Sequence, residues 1–173
     1  MINKRLALLI FLLFVFVLVG CVAENNDSET STQPAATVGV KQIIDANEYF
    51  RISEKELVAL KGKPELKDSW NFDSSNGKKY KAITYTYDDG NQEYLVIDSK
   101  VVRFTYYAND QLYTTDENLF KQFGILPSDE MKKSSGGTTI KFNSVSEKVP
   151  EVWVTEADNK IDTIKITYDL RYF

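Results

Sequence analysis

The chain contains no histidine and a single cysteine, Cys21, among its 173 residues. An intrachain disulfide needs two cysteines, and the usual zinc sites are built from several cysteine and histidine side chains. Catalysis by a serine or cysteine nucleophile paired with histidine is excluded because the chain has no histidine. The side chains that remain for chemistry are carboxylates, tyrosine, lysine, serine and threonine.

Positive charge is also limited, because 21 lysines and arginines stand against 25 aspartates and glutamates. The formal net charge is −4, and no tract of basic residues runs along the chain. These features argue against a nucleic-acid partner. The strong preference for lysine over arginine, together with plentiful asparagine, isoleucine and tyrosine, resembles the composition of low-GC Gram-positive proteins.

The N-terminal segment carries the one long apolar run, which occupies residues 6–19 and follows Lys4 and Arg5. A helix that spans a bilayer needs about 20 residues, whereas the apolar part of an export signal needs about 7–15. The run therefore predicts an export signal. An uncleaved membrane anchor and an ordinary secretory signal remain alternatives.

The apolar run ends in Leu18-Val19-Gly20-Cys21. This ending resembles the lipobox of bacterial lipoproteins. The resemblance implies a signal peptide at residues 1–20, cleavage after Gly20, and a lipid anchor with diacylglyceryl and palmitate chains on Cys21. Because each buried methylene contributes about 0.8 kcal/mol, two or three acyl chains hold a protein firmly in a membrane. We therefore expect the chain at the extracytoplasmic face of the cell membrane, with net charge −6 after Lys4 and Arg5 are removed.

Residues 21–39 have almost no large apolar side chains. Such a segment cannot bury enough surface to offset the entropy that it would lose on ordering. We predict a flexible tether here. The folded part is expected to begin near residue 40.

The folded part contains matching segments at an offset of 62 residues. Residues 53–62 resemble residues 115–124, and residues 103–106 resemble residues 165–168. Further matches lie in order between these segments, which indicates a duplicated unit. We predict an α+β fold of two tandem repeats, residues 40–110 and 111–173, each a helix followed by a three-stranded antiparallel sheet.

Local signals support the first unit. Ser53 and Glu56 form a potential capping box at a helix start, and Gly62 followed by Pro64 is typical of a helix end. The alternation of Val102, Phe104 and Tyr106 with polar residues predicts a strand with one buried face, and the matching inward row is Ile164, Ile166 and Tyr168. The strands are expected at residues 80–87, 93–97, 101–107, 138–143, 151–155 and 161–170, with residues 134–137 as a loop.

The helix ending Glu56-Leu57 through Gly62 and Pro64, which leads into antiparallel strands in a small lipoprotein, resembles the modules of BamE/SmpA-type proteins. The tandem arrangement is similar to that of the β-lactamase inhibitor protein. These resemblances imply a binding surface formed by one sheet and no catalytic centre. The folded part has no cysteine, so the disulfide-braced loops of the inhibitor do not carry over.

Aromatic residues make up 13% of the chain, enough to ask whether some lie on an exposed sheet face. Tyrosine and tryptophan are preferred at interfaces because they combine a large rigid area with a polar tip. Some of them must also fill the core. The candidates for a binding surface are Tyr85, Tyr87, Tyr94, Tyr107 and Trp153.

Two acidic clusters raise other possibilities. Glu156, Asp158 and Asp162 could hold calcium but lack the order of a true calcium loop. Asp88 and Asp89 could pair with Glu93 as acid and base in a glycosidase. Both clusters fit solvated turns better.

The sequence therefore predicts a non-enzymatic surface lipoprotein that binds a protein or envelope component, with no catalytic residue, metal or cofactor. The alternative is an envelope hydrolase that uses carboxylates.

Overall fold

The computed structural model describes residues 39–108, 112, 116–158 and 160–173. Residues 38–173 form one compact unit. The predicted signal peptide 1–20, Gly20, Cys21 and all but the last residue of the predicted tether 21–39 lie outside the described residues. The predicted boundary between residues 110 and 111 also falls outside them.

The described residues form two short helices, eight strands and two 3₁₀ turns. The helices are α1 (Glu54–Lys61) and α2 (Asp116–Gln122), and the 3₁₀ turns are Ala46–Tyr49 and Leu170–Tyr172. The strands are β1 (Leu66–Asp73), β2 (Lys79–Tyr87), β3 (Gln92–Ile97), β4 (Lys100–Tyr107), β5 (Lys132–Gly136), β6 (Thr139–Asn143), β7 (Glu151–Ala157) and β8 (Lys160–Thr167).

All eight strands belong to one antiparallel sheet, in the order β1-β2-β3-β4-β8-β7-β6-β5. The prediction of two tandem repeats, each with its own three-stranded sheet, is therefore wrong. Each half of the chain supplies four strands, and β4 pairs directly with β8, so that Phe104 lies opposite Ile166. This pairing joins both halves in a single sheet.

The two strands that the sequence analysis missed, β1 and β5, lie at the two edges of the sheet. Their side chains are almost all exposed, and their sequences, LKDSWNFD and KKSSG, are mostly polar. Hydrogen bonds to the neighbouring strands hold them in place, and local propensity contributes little. The segment predicted as a loop at residues 134–137 instead contains the end of β5 and the tight turn into β6.

Helix α1 begins and ends where the sequence predicts. The Ser53 hydroxyl accepts a hydrogen bond from the backbone N–H of Glu56, and the Glu56 carboxylate accepts one from the backbone N–H of Ser53. This is a complete capping box, which satisfies backbone donors that have no partner within the helix. Gly62 ends the helix with a φ of 81°, a conformation that costs glycine little. The predicted start and end of α1 are confirmed.

Both helices pack on the same face of the sheet. Leu57 of α1 and Phe120 of α2 are fully buried in a core that also contains Tyr94, Phe104 and Ile166. Of the predicted inward rows, Phe104, Tyr106, Ile164, Ile166 and Tyr168 lie in this core.

Val102 is the exception to the predicted inward rows. It packs in a smaller cluster with Leu95 and Tyr172. Leu95 pairs with Arg103 but Val96 pairs with Val101, so Val102 is an extra residue on β4. This bulge changes the direction of the side chains on β4, and the prediction for Val102 is wrong.

Candidate functional site

The second face of the sheet carries neither α-helix, and the C-terminal 3₁₀ turn Leu170–Tyr172 packs on part of it through Tyr172. We call it the open face; its members include Trp70, Arg103, Tyr107, Trp153 and Lys165, which share one side of the sheet by strand pairing and alternation. Three of these residues are large and solvent-exposed: Trp70 by 40%, Trp153 by 38% and Tyr107 by 36%. Exposed aromatic side chains on one sheet face are a feature of interaction surfaces.

The aromatic residues selected from the sequence divide between the two faces. Tyr85, Tyr87 and Tyr94 are buried in the core beneath the helices, with exposures of 1%, 4% and 0%. Tyr107 and Trp153 lie on the open face. Three of the five candidates are therefore core residues in this structure, and the other two share a solvent-exposed surface.

A shallow depression of about 160 Å³ lies on the open face. Trp70, Phe72 and Leu95 line its apolar side. Arg103, Lys165, Glu93 and Tyr107 supply the charged and polar groups, with two threonines, Thr84 and Thr105, between them. The indole N–H of Trp70 donates a hydrogen bond to Oγ1 of Thr84, with a nitrogen–oxygen distance of 3.1 Å, which orients the ring.

Arg103 is half-buried and carries a positive charge that no described carboxylate pairs with directly. Its guanidinium lies 3.5 Å from the ring centroid of Phe173, and its Nε donates to Oγ1 of Thr167 at 3.4 Å. Burial lowers the pKa of Arg103 to about 10, and the charge of nearby Glu151 acts in the opposite direction. The guanidinium therefore stays charged at neutral pH.

Glu151 lies near Arg103 but makes no direct ion pair with it. Its buried carboxylate forms an ion pair with Lys141, whose Nζ lies 2.6 Å from Oε2 of Glu151. The same Lys141 ammonium lies 4.9 Å from the ring centroid of Trp153. The two charges thus satisfy each other beside Trp153.

Lys165 is the second cation of the depression. Thr105 pairs with Lys165 and Arg103 pairs with Thr167, so Arg103 and Lys165 are diagonal neighbours on the open face. Such neighbours lie within reach of long side chains. Lys165 makes no ion pair within the described ranges, and its cross-strand partner on β7 is Trp153.

Glu93 is the one carboxylate that lines the depression. The hydroxyl of Tyr107 donates a hydrogen bond to Oε2 of Glu93 at 2.8 Å. Burial, followed by this hydrogen bond, raises the pKa of Tyr107 to about 12, so the phenol remains protonated at neutral pH. A single carboxylate held by a phenol does not provide the pair that general acid and base catalysis of glycoside hydrolysis requires.

The acidic turn at Asp88 and Asp89 has a structural explanation. Asp88 and Asp89 have φ angles of 59° and 52°, a conformation that aspartate tolerates in tight turns, and Asp88 accepts a hydrogen bond from the Gln92 side chain. Within the described part of the chain, no three carboxylate, cysteine or histidine groups cluster as a metal site would require. No helix in that part is long and apolar enough to cross a bilayer.

Sequence reasoning missed most residues of the depression. Trp70 and Phe72 lie on β1, which was not predicted as a strand, and Lys165 comes from the other half of the chain. The sequence contains only a weak indication that Arg103 belongs to a site: it is one of four arginines, and it alternates with aromatic residues along its strand. Only the β4–β8 pairing brings Arg103 and Lys165 together.

No protein-family model matches this chain, and no curated protein matches it in sequence. Among solved structures, a cysteine-rich secretory protein from Staphylococcus aureus is similar at 9% sequence identity and a TM-score of 0.39. The similarity covers 75% of this chain and 51% of that one, so the chain spans about half the length of that structure. A likeness this weak carries no argument about fold or function.

Proposed function

We propose that the protein is a non-enzymatic lipoprotein, anchored through Cys21 at the extracytoplasmic face of the cell membrane, that binds another protein or an envelope component through its open face. The observation that carries the binding proposal is the open face itself. It exposes Trp70, Tyr107 and Trp153 near two cations, Arg103 and Lys165, that make no ion pair among the described residues.

Exposed tryptophan and tyrosine are costly to leave in water and contribute strongly when a partner covers them. The Trp70 ring is already oriented by its hydrogen bond to Thr84, and the Lys141 ammonium lies over the Trp153 ring. Side chains held in this way lose little conformational entropy when a partner binds. The open face is therefore suited to recognition.

The anchor proposal rests on the apolar run at residues 6–19 and on the ending Leu18-Val19-Gly20-Cys21. The single thiol of the chain is the one side chain that can form the thioether to a diacylglyceryl group. A carboxylate hydrolase has less support, because Glu93 is the one carboxylate in the depression and Tyr107 holds it.

One experiment in cells tests both parts. The full chain is expressed with a photo-crosslinking amino acid at position 107 on the open face, or at position 59 on α1 as the matched control, since Ala59 is also exposed. The cells are labelled with a palmitate analogue before irradiation. We expect label on the wild-type chain and none on Cys21→Ala.

We further expect a discrete crosslinked product from position 107 in the membrane fraction, and none from position 59. Equal products from both positions, or none from position 107, would refute binding through the open face. Palmitate label that persists in Cys21→Ala would refute the anchor.

A further inference from the structure

The depression on the open face is lined by two cations and one carboxylate, Glu93, and neither cation makes an ion pair within the described residues. Arg103 and Lys165 are diagonal neighbours across the β4–β8 pair and line the same hollow. Glu151 is paired with Lys141, and Glu93 accepts a hydrogen bond from the uncharged hydroxyl of Tyr107. The lining therefore carries two cations against one carboxylate, and a further anion placed between the cations would be attracted by the excess positive charge.

The Arg103 guanidinium is held in place before any ligand arrives. One of its planar faces stacks on the Phe173 ring at 3.5 Å, and Nε is directed toward Thr167. The terminal nitrogens of the guanidinium have no partner in the described part of the chain. Such a planar fork matches the two oxygens of a carboxylate, and its partial burial strengthens the interaction relative to water.

The opposite side of the depression is apolar. Trp70, Phe72 and Leu95 line it, and Phe72 packs edge-to-face against Trp70 at a centroid distance of 5.6 Å. An anion with a large hydration shell, such as a polyphosphate, would leave this wall without a partner. A ligand that carries a hydrocarbon group next to its anion would cover both sides at once.

We propose that the depression binds an acidic side chain of a partner protein, with its carboxylate between Arg103 and Lys165 and a neighbouring apolar side chain against Trp70 and Phe72. This inference rests on the proposed function and specifies the partner as a peptide segment in which an acidic residue adjoins apolar ones. The volume of about 160 Å³ fits one or two side chains, so neighbouring parts of the partner must contact the rest of the open face.

The test uses the ¹⁵N-labelled full chain in detergent micelles and follows the indole N–H signal of Trp70 by NMR. The sequence has two tryptophans, so Trp70→Phe assigns the signal. The probes are the peptide acetyl-Ala-Leu-Glu-Leu-Ala-amide, the same peptide with glutamine in place of glutamate, and inorganic phosphate.

We expect a saturable shift of the Trp70 signal with the glutamate peptide and none with the glutamine peptide. In Arg103→Gln the dissociation constant should rise about tenfold or more, because a charge-assisted hydrogen-bond pair is lost. Lys165→Gln should weaken binding by a smaller factor. Lys160→Gln removes the same charge from an exposed position on the same strand and should leave the affinity unchanged.

Two outcomes would overturn the inference. The first is equal binding of both peptides, and the second is saturation by phosphate while the glutamate peptide has no effect. If Arg103→Gln does not fold, the peptide affinities of Lys165→Gln and Lys160→Gln are compared instead, and equal affinities would overturn the inference. A specific crosslink from position 107 together with either overturning outcome would retain the proposed function and remove only the acidic-peptide ligand.

Discussion

At the scale of single residues, similar tyrosines have different roles that depend on where the sheet places them. The Tyr168 hydroxyl is buried and donates a hydrogen bond to the backbone carbonyl of Ala46 at 2.7 Å. The Tyr85 hydroxyl is also buried and lies beside the Lys67–Glu54 ion pair, but it makes no hydrogen bond of good geometry. Tyr168 therefore has a well-formed buried hydrogen bond, and Tyr85 does not.

Tyr168→Phe should lower the free energy of unfolding by about 1–3 kcal/mol, because it leaves the carbonyl of Ala46 without its partner in the core. Tyr85→Phe is the matched control and should change the free energy by less than about 0.5 kcal/mol, since it removes an unpaired polar atom. Urea unfolding of both variants measures the difference. Equal losses in the two variants would contradict this assignment.

At the scale of elements, both helices are followed by a glycine with positive φ. The φ angles are 81° at Gly62 and 65° at Gly124. The surroundings differ: a Cβ on Gly62 would meet open space, whereas a Cβ on Gly124 would lie 2.9 Å from Oδ1 of Asp45. That Asp45 carboxylate accepts hydrogen bonds from Asn47, whose side chain also donates to the Gly124 carbonyl.

Gly62→Ala should destabilise the protein by about 1–3 kcal/mol, because φ 81° with ψ −160° is a conformation that is almost restricted to glycine. Gly124→Ala adds a steric conflict with the Asp45 network and should cost about 2–4 kcal/mol. Thermal or urea unfolding of the two variants gives the comparison. A loss of only about 1 kcal/mol at Gly124, which is the cost of positive φ alone, would show that the contact with Asp45 does not matter.

At the scale of the whole molecule, the β4–β8 pair is the joint between the two halves of the chain. Phe104 and Ile166, both fully buried, face each other across this joint. Because the core on the helix-covered face is continuous across the joint, one half cannot unfold without exposing apolar surface of the other. We expect one cooperative transition.

The two tryptophans report on the two halves separately, since Trp70 lies on β1 and Trp153 on β7. The Trp153→Phe variant leaves Trp70 as the fluorescent reporter, and the Trp70→Phe variant leaves Trp153. The urea unfolding transitions of these two variants, followed by tryptophan fluorescence, should coincide. Adding Phe104→Ala to each variant should lower both urea midpoints together. The free energy of unfolding should fall by about 3–5 kcal/mol because the substitution leaves a cavity in the core. If the Phe104→Ala substitution lowers only the Trp70 transition, the halves unfold independently.

The sequence alone determined the elements whose causes are local. The capping box at Ser53 and Glu56 and the helix end at Gly62 depend on a few neighbouring residues, and six strands have strong alternation or β propensity. The predictions of Cys21 as the lipid attachment site and of cleavage after Gly20 also rest on a local segment, and they stay predictions.

The tertiary structure decided everything that depends on which strands meet. The polar edge strands β1 and β5 form through backbone hydrogen bonds to their neighbours, so their composition did not indicate them. The sequence could not distinguish Tyr94, which lies in the core, from Tyr107, which lies on the open face, because both fit an alternating strand equally well. Arg103 and Lys165 lie 62 positions apart, and only the pairing of β4 with β8 places their charges side by side. A sheet is built from contacts that are distant in sequence, which is the physical reason why the site emerges only in the folded chain.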